Sequence, residues 1–223
     1  MGQLDGKRIV VTGAGRGIGE LAAATFRERG AEVVTLDLAG DVDHVCDVSD
    51  ADTVERVFAD VGPVTGLLNN AGMLSERVDI ETLTADDFAR MLAVNVTGSF
   101  LCARAAARSM GDGGSIVNVS SQTAFNGSKG FPHYTASKGA IVSLTRSLSA
   151  EWGPRGIRVN CVAPGYTPTP GSEHLGPYDP SRTPLGRVMD PVDLMGTFCW
   201  LLSDDSAFVS GQTTLVNGGS FPY

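Results

Sequence analysis

Residues 7–19, KRIVVTGAGRGIG, run from a short β-branched apolar stretch straight into a cluster of glycines. Residues 7–12 read as a strand, and the helical spacing of apolar residues over 18–29, closed by Gly30, reads as a helix. Between them Gly13, Gly17 and Gly19 carry no side chains, so backbone N–H groups and the helix N-terminus are free to approach a pyrophosphate. The next apolar run, EVVTL at 32–36, is followed by Asp37, 24 residues beyond Gly13. A carboxylate there accepts hydrogen bonds from adenosine ribose hydroxyls and repels a 2′-phosphate, which favours NAD over NADP. Arg16 keeps NADP open, because a guanidinium inside the turn pairs with phosphate.

The alternation continues outward. A short third strand is expected at 43–46, a helix at 51–61, a strand at 66–69, one long helix at 85–110 and a strand at 114–120. A helix at 133–152 stops at Gly153 and Pro154, and a strand follows at 156–163. Six prolines and three glycines between Pro164 and Pro184 interrupt regular structure, so this stretch reads as a long loop. A helix at 191–202 and a strand at 213–216 complete the chain. Strands alternating with helices make an α/β fold, a doubly wound parallel sheet with helices on both faces and ligands beyond the carboxyl ends of the strands. No linker splits the chain, so residues 1–223 read as one dinucleotide-binding and catalytic domain with a substrate loop at about 165–185.

A net charge of −8 argues against nucleic acid or an anionic membrane surface as a partner and leaves a local basic pocket open. The four cysteines, Cys46, Cys102, Cys161 and Cys199, form no CxxC pair, which points to reduced core residues and to neither a zinc ribbon nor a disulfide framework. The N-terminal stretch shows no basic, apolar leader and no segment reaches 18 apolar residues, so a cytoplasmic location is expected.

In order along the chain stand TGAGRGIG (12–19), Asp47-Val48, Asn69-Asn70-Ala71-Gly72, Asn95, Ser121, YTASK (134–138) and Pro164-Gly165. In these motifs the chain resembles the short-chain dehydrogenase/reductases over essentially its whole length. The resemblance implies a Rossmann-type sheet of about seven strands and a homo-oligomer, tetramer or dimer, assembled through the long helices. It implies an NAD(P)-dependent oxidoreductase acting on CH–OH groups, with Asn95, Ser121, Tyr134 and Lys138 as the catalytic tetrad. Cofactor contacts are implied for Gly13, Ala14, Gly15, Arg16, Gly17, Ile18, Gly19, Asp37, Asp47, Val48, Asn69, Ala71, Gly72, Tyr134, Lys138, Pro164, Gly165, Thr167 and Thr169. Only nine residues separate Asp37 from Asp47, too few for the full crossover helix usual at this place in the family.

The residue types support that chemistry directly. Tyr134 and Lys138, four apart on a helix, share one face. A nearby ammonium and a cationic nicotinamide favour phenolate over phenol and bring a tyrosine toward use as a general base. Ser121 at the end of a strand is placed to hold a substrate oxygen near that phenol, with Ser120 as its rival. Asn95 is a poor helix former inside a helix; the resemblance implies that it marks a kink holding a water on a proton path, and the alternative is an amide that satisfies backbone groups. Asp47 fits either an adenine contact or a helix N-terminal turn. Met73, Thr123, Phe125, Phe131, Tyr166, His174 and Tyr178 flank these motifs and are candidate pocket residues; none announces an acidic or phosphorylated substrate. Glu173-His174 on a loop is too sparse for a metal site, and no metal is expected. The function these residues point to is interconversion of a small-molecule alcohol with its ketone or aldehyde. An NADPH-dependent keto-reductase is the alternative; a cofactor-sensing protein without turnover would have no need of Tyr134 or Lys138.

Overall fold

The computed structural model describes residues 2–176 and 178–221; Pro177, inside the expected substrate loop, lies outside the described residues. Seven strands, β1 (Arg8–Thr12), β2 (Glu32–Asp37), β3 (His44–Val45), β4 (Gly66–Asn69), β5 (Gly114–Val119), β6 (Ile157–Pro164) and β7 (Thr213–Val216), form one sheet in the order β3-β2-β1-β4-β5-β6-β7. Every pairing is parallel. The order reverses direction between β1 and β4, and at such a switch point the helices on either side diverge and leave a crevice.

Alternate strand residues feed two cores. Val10, Leu36, Leu67, Ile116 and Val159 meet α2 (Ala51–Val61), α4 (Ser99–Ser109) and the C-terminal half of α6 (Pro132–Trp152). Ile9, Val11, Leu68, Val117 and Val162 meet α1 (Gly17–Glu28) and α7 (Met195–Leu202). Both faces of each central strand are thus buried, which is why these strands read as continuous apolar runs.

The β2–β3 connection departs from this pattern. Parallel neighbours normally need a crossover of a dozen or more residues, yet residues 38–43 suffice here. They suffice because β3 pairs only with the last two residues of β2, Leu36 with His44 and Asp37 with Val45, so the chain has almost no height to recover. Asp43 closes the loop: its Oδ2 accepts from Thr35 N at 2.8 Å and Thr35 Oγ1 at 2.7 Å, and that hydroxyl accepts from Asp43 N at 2.9 Å. These hydrogen bonds hold the carboxyl below its ordinary range, with Arg27 adding a smaller pull. Asp43→Ala leaves the buried Thr35 N–H and hydroxyl without this partner, and we expect a loss of about 1–2 kcal/mol in urea unfolding. An unchanged midpoint would mean the loop is held elsewhere.

Three expectations change in detail. The helix expected over 85–110 is α3 (Ala85–Leu92), a π-helical turn (Ala93–Gly98) and α4 in succession. The expected helix at 191–202 opens as a 3-10 turn, Pro191–Leu194, capped by Asp190. A four-residue helix, α5 (Thr123–Asn126), follows β5 and is too short for periodicity to reveal.

Candidate functional site

The glycine turn sits at the crevice between β1 and β4. Thr12 ties the two strand ends together, its hydroxyl accepting from Asn70 N at 3.1 Å and Ala71 N at 3.0 Å. Asn70 Nδ2 in return donates to Thr12 O and Gly13 O at 3.2 and 3.0 Å. Asn70 was thus a site residue that sequence reasoning quoted in a motif without assigning it a role. Its neighbour Asn69 turns into the core, donating to Ser99 O and Asn118 Oδ1, both at 2.9 Å, so its side chain is unavailable to a cofactor.

Helix α1 starts without a side-chain cap at Arg16, leaving its first N–H groups for an anion. Gly17, at φ +64°, faces Thr169 across open space, and a Cβ added there would meet nothing nearer than Thr169 Cβ at 3.5 Å. Gly15 is pressed by the β2–β3 loop: a Cβ would lie 2.1 Å from Ala39 O, so no side chain fits. Gly15 N donates to Asp37 Oδ2 at 2.8 Å, which fixes that carboxylate against the glycine turn. An uncapped helix start, a side-chain-free turn and an adjacent carboxylate together fit the pyrophosphate and adenosine end of a dinucleotide. Asp47 is a turn device, accepting from Ser49 N at 2.9 Å and Ser49 Oγ at 2.7 Å, while Val48 is buried beneath Gly98.

Beyond the turn opens a cleft of about 460 Å³. Ile18, Gly72, Ser121, Tyr134, Lys138, Pro164, Gly165, Thr167 and Thr169 line it, as do Met73, Thr123, Phe131, Tyr166 and Tyr178 from the expected pocket. Gly13, Ala14, Gly15, Arg16, Gly17, Gly19, Asp37 and Ala71 lie outside this cleft, toward the α1 end. Two pocket expectations are corrected. Phe125 packs against the small core of Ile141, Val142 and Cys161, and His174 is drawn away to the carbonyl of Ser75 at 3.0 Å. Sequence reasoning missed Arg77, Asp179 and Arg182, which reach the cleft only through folded loops. Tyr166 and Tyr178 stack at 4.7 Å and form one wall.

Helix α6 carries Tyr134 and Lys138 past the end of β5. Lys138 is 6% exposed and its Nζ donates to Val119 O at 2.9 Å. Burial pushes its pKa down to about 8. The ammonium stands 5.6 Å from the centre of the Tyr134 ring. Burial pushes the Tyr134 phenol up to about 12, with a hydrogen bond to Ser121 pulling the other way. In the protein by itself, desolvation therefore outweighs the stabilisation of phenolate expected from the lysine. Ser120 is occupied, donating to Lys138 O at 2.7 Å in the interior, which leaves Ser121 as the serine facing the phenol.

Asn95 sits in the π-helical turn, a distortion common at functional sites. Its Oδ1 accepts from Met73 N at 2.6 Å, and its Nδ2 donates toward Met73 O at 3.1 Å and Ser137 Oγ at 2.9 Å. Ser137 Oγ donates in turn to Tyr134 O at 2.7 Å. The amide clamps the loop after β4 onto the first turns of α6. All four cysteines are buried and free. Among the described residues no cluster of three or more His, Cys, Asp or Glu is arranged to hold a metal ion, and no helix is long and apolar enough to cross a membrane.

A family model described as enoyl-(acyl carrier protein) reductase matches residues 13–220. The cis-4-hydroxycyclohexanecarboxylate dehydrogenase of Sinomonas cyclohexanicum is 36% identical, with 98% of each chain covered. The meso-2,3-butanediol dehydrogenase of Serratia marcescens is 34% identical, covering 98% of this chain and 96% of that one. A short-chain type dehydrogenase/reductase from Mycobacterium marinum superposes with a TM-score of 0.91 at 33% identity, over 99% of this chain and 97% of that one. With the switch-point crevice, the glycine turn and the Ser-Tyr-Lys cleft in one sheet, the chain belongs to the short-chain dehydrogenase/reductases, Rossmann-fold oxidoreductases that use a nicotinamide cofactor.

Proposed function

We propose that this protein is an NAD(H)-dependent dehydrogenase that interconverts a small-molecule alcohol and its ketone or aldehyde, with Tyr134 as general acid and base. The observation that carries the reading is the convergence of Ser121, Tyr134 and Lys138 on one cleft that Ile18, Pro164 and Thr169 also line. Relatives named for alcohol oxidation support it.

A nicotinamide bound at the Ile18–Thr169 end supplies hydride chemistry at the substrate carbon. Ser121 Oγ and the Tyr134 hydroxyl hold the substrate oxygen between them. In oxidation Tyr134 accepts the hydroxyl proton; in reduction it donates one to the carbonyl oxygen. Lys138, anchored on Val119 O beside the ring, stabilises the phenolate form once the phenol gives up its proton. Asn95 completes the set by fixing α6 through Met73 and Ser137. Gly13, Ala14, Gly15, Gly17, Gly19 and the α1 N-terminus hold the pyrophosphate, and Asp37 takes the ribose hydroxyls. Ala71 and Gly72 border the same path, and the 165–185 loop closes over the substrate. A cytoplasmic dimer or tetramer belongs to the same reading, and light scattering of the purified protein tests the assembly.

The test is a fluorescence titration with NADH and NADPH, followed by turnover on secondary alcohols and ketones, meso-2,3-butanediol and cis-4-hydroxycyclohexanecarboxylate among them. Tighter NADH binding with turnover supports the reading; binding of neither cofactor sinks it. Arg16, exposed and without an ion pair among the described residues, favours the NADPH alternative. Asp37→Ala decides between them. We expect it to weaken NADH binding and raise NADPH binding, changing the NADPH/NADH preference by about 10–100-fold; an unchanged ratio would show that Asp37 does not read the ribose.

A further inference from the structure

We propose that the substrate of this site carries a carboxylate, bound between Arg77 and Arg182 at the substrate end of the cleft. The proposal deepens the dehydrogenase reading and rests on it.

Over the whole chain acidic residues outnumber basic ones, 25 to 17. In the cleft the balance is inverted: Arg77, Lys138 and Arg182 line it against a single acid, Asp179. Lys138 is taken up by Val119 O. Arg77 likewise donates to a backbone carbonyl, that of Lys129, and Arg182 acts by its charge on Asp179, but among the described residues neither arginine forms an ion pair. Both arginines are exposed, and a cation on the wall of a concave site attracts an anion more strongly than one on open surface because the walls focus its field.

Arg77 is held in place. Its Nη1 donates to Lys129 O at 3.2 Å, its guanidinium lies 5.2 Å from the centre of the Phe131 ring, and Val78 N donates to Gly130 O at 3.0 Å. Phe131 is buried and stands three residues before Tyr134, so this guanidinium belongs to the reacting end of the cleft and not to the glycine turn. Arg182 lines the same cleft from the end of the 3-10 turn Pro180–Arg182. The pyrophosphate has its own donors at the start of α1, so neither arginine is needed for it.

A guanidinium fork matches a carboxylate in shape and charge. Asp179 Oδ1 accepts from Ser181 N at 2.9 Å, fixing a negative charge in the same turn as Arg182. Arg77, Arg182 and Lys138 against one aspartate leave the cleft net positive, which suits an anion, and the planar fork of a guanidinium favours a carboxylate as that anion.

The test is calorimetric titration of the full-length protein, with and without NADH, using benzoate, benzamide and phenyl phosphate as unreactive probes. We expect benzoate to bind at least about tenfold more tightly than benzamide or phenyl phosphate. Arg77→Gln and Arg182→Gln should each remove most of that preference while leaving the NADH dissociation constant within about twofold. Equal binding of benzoate and benzamide, a preference that survives both substitutions, or tighter binding of phenyl phosphate overturns the proposal. Failure of NADH to bind would instead undo the dehydrogenase reading, and the acid preference of the cofactor-free protein would still decide the anion site.

Discussion

Tyr134→Phe is expected to lower kcat by about 1,000-fold, within the range set by loss of a general acid/base. The substitution removes one oxygen and keeps the ring, so the packing of α6 against the cleft survives. The hydroxyl's partner is Ser121, which Thr123 also engages through its N–H and hydroxyl at 3.2 and 3.1 Å. The serine therefore stays placed when the phenol is gone, and the loss reports proton transfer rather than collapse of the pocket. NADH binding should remain within about twofold of the parent. The experiment compares initial rates of the two proteins on the best alcohol found in the panel. Retention of more than about a tenth of the parent rate would remove Tyr134 from the role of proton carrier.

Lys138→Met is expected to abolish most turnover and, more diagnostically, to change how stability depends on pH. The lysine is buried and its pKa falls from 10.5 in the unfolded chain to about 8 in the fold. Below about 8 it is charged in both states, and the folded protein carries the full cost of burying that charge. As pH rises from about 8 toward 10.5, the folded state loses the proton first, so the unfolded state binds more protons and stability rises. The difference of 10.5 − 8 corresponds to roughly 3 kcal/mol at neutral pH. A methionine in place of Lys138 removes that cost but leaves Val119 O without its donor, a loss of about 1–3 kcal/mol that does not vary with pH.

The readout is therefore the change in the parent-minus-variant difference with pH. We expect the parent to gain about 1 kcal/mol on the variant between about pH 7.5 and about pH 9. Buried thiols act in the opposite sense at higher pH, since burial pushes Cys46 and Cys161 up to about 11. Tyr134, raised to about 12, also costs stability in that range. Cys46 is common to both proteins and cancels in the difference, whereas Cys161 interacts with Lys138 itself, so the comparison is confined to pH values below about 9, where that buried thiol stays protonated in both. Parallel pH profiles would show that Lys138 is not buried as an ammonium.

Much of this protein was determined by its sequence, because backbone geometry there is set by neighbours in the chain. The strand at 66–69 and the helix at 51–61 match β4 and α2 residue for residue, since a short apolar run and an Asp50 cap both act within a few positions. The glycine turn and the four-residue spacing of Tyr134 and Lys138 are likewise local, so the family could be read before any fold was known. The nine-residue gap before Asp47 also announced the missing crossover helix, though not how Asp43 and Thr35 close it.

Tertiary structure decided what depends on groups far apart in the chain. Only the packing of β4 against β1 made Asn70 a clamp on Gly13 and sent Asn69 into the core. Only the contact between the 73 loop and α6 assigned the Asn95 amide to Met73 and Ser137. In the protein by itself burial raises Tyr134 and lowers Lys138, because desolvation scales with everything packed around a group and not with its spacing. Arg77 and Arg182, 105 residues apart, meet in one cleft through two loops without periodicity, and no local rule brings such residues together.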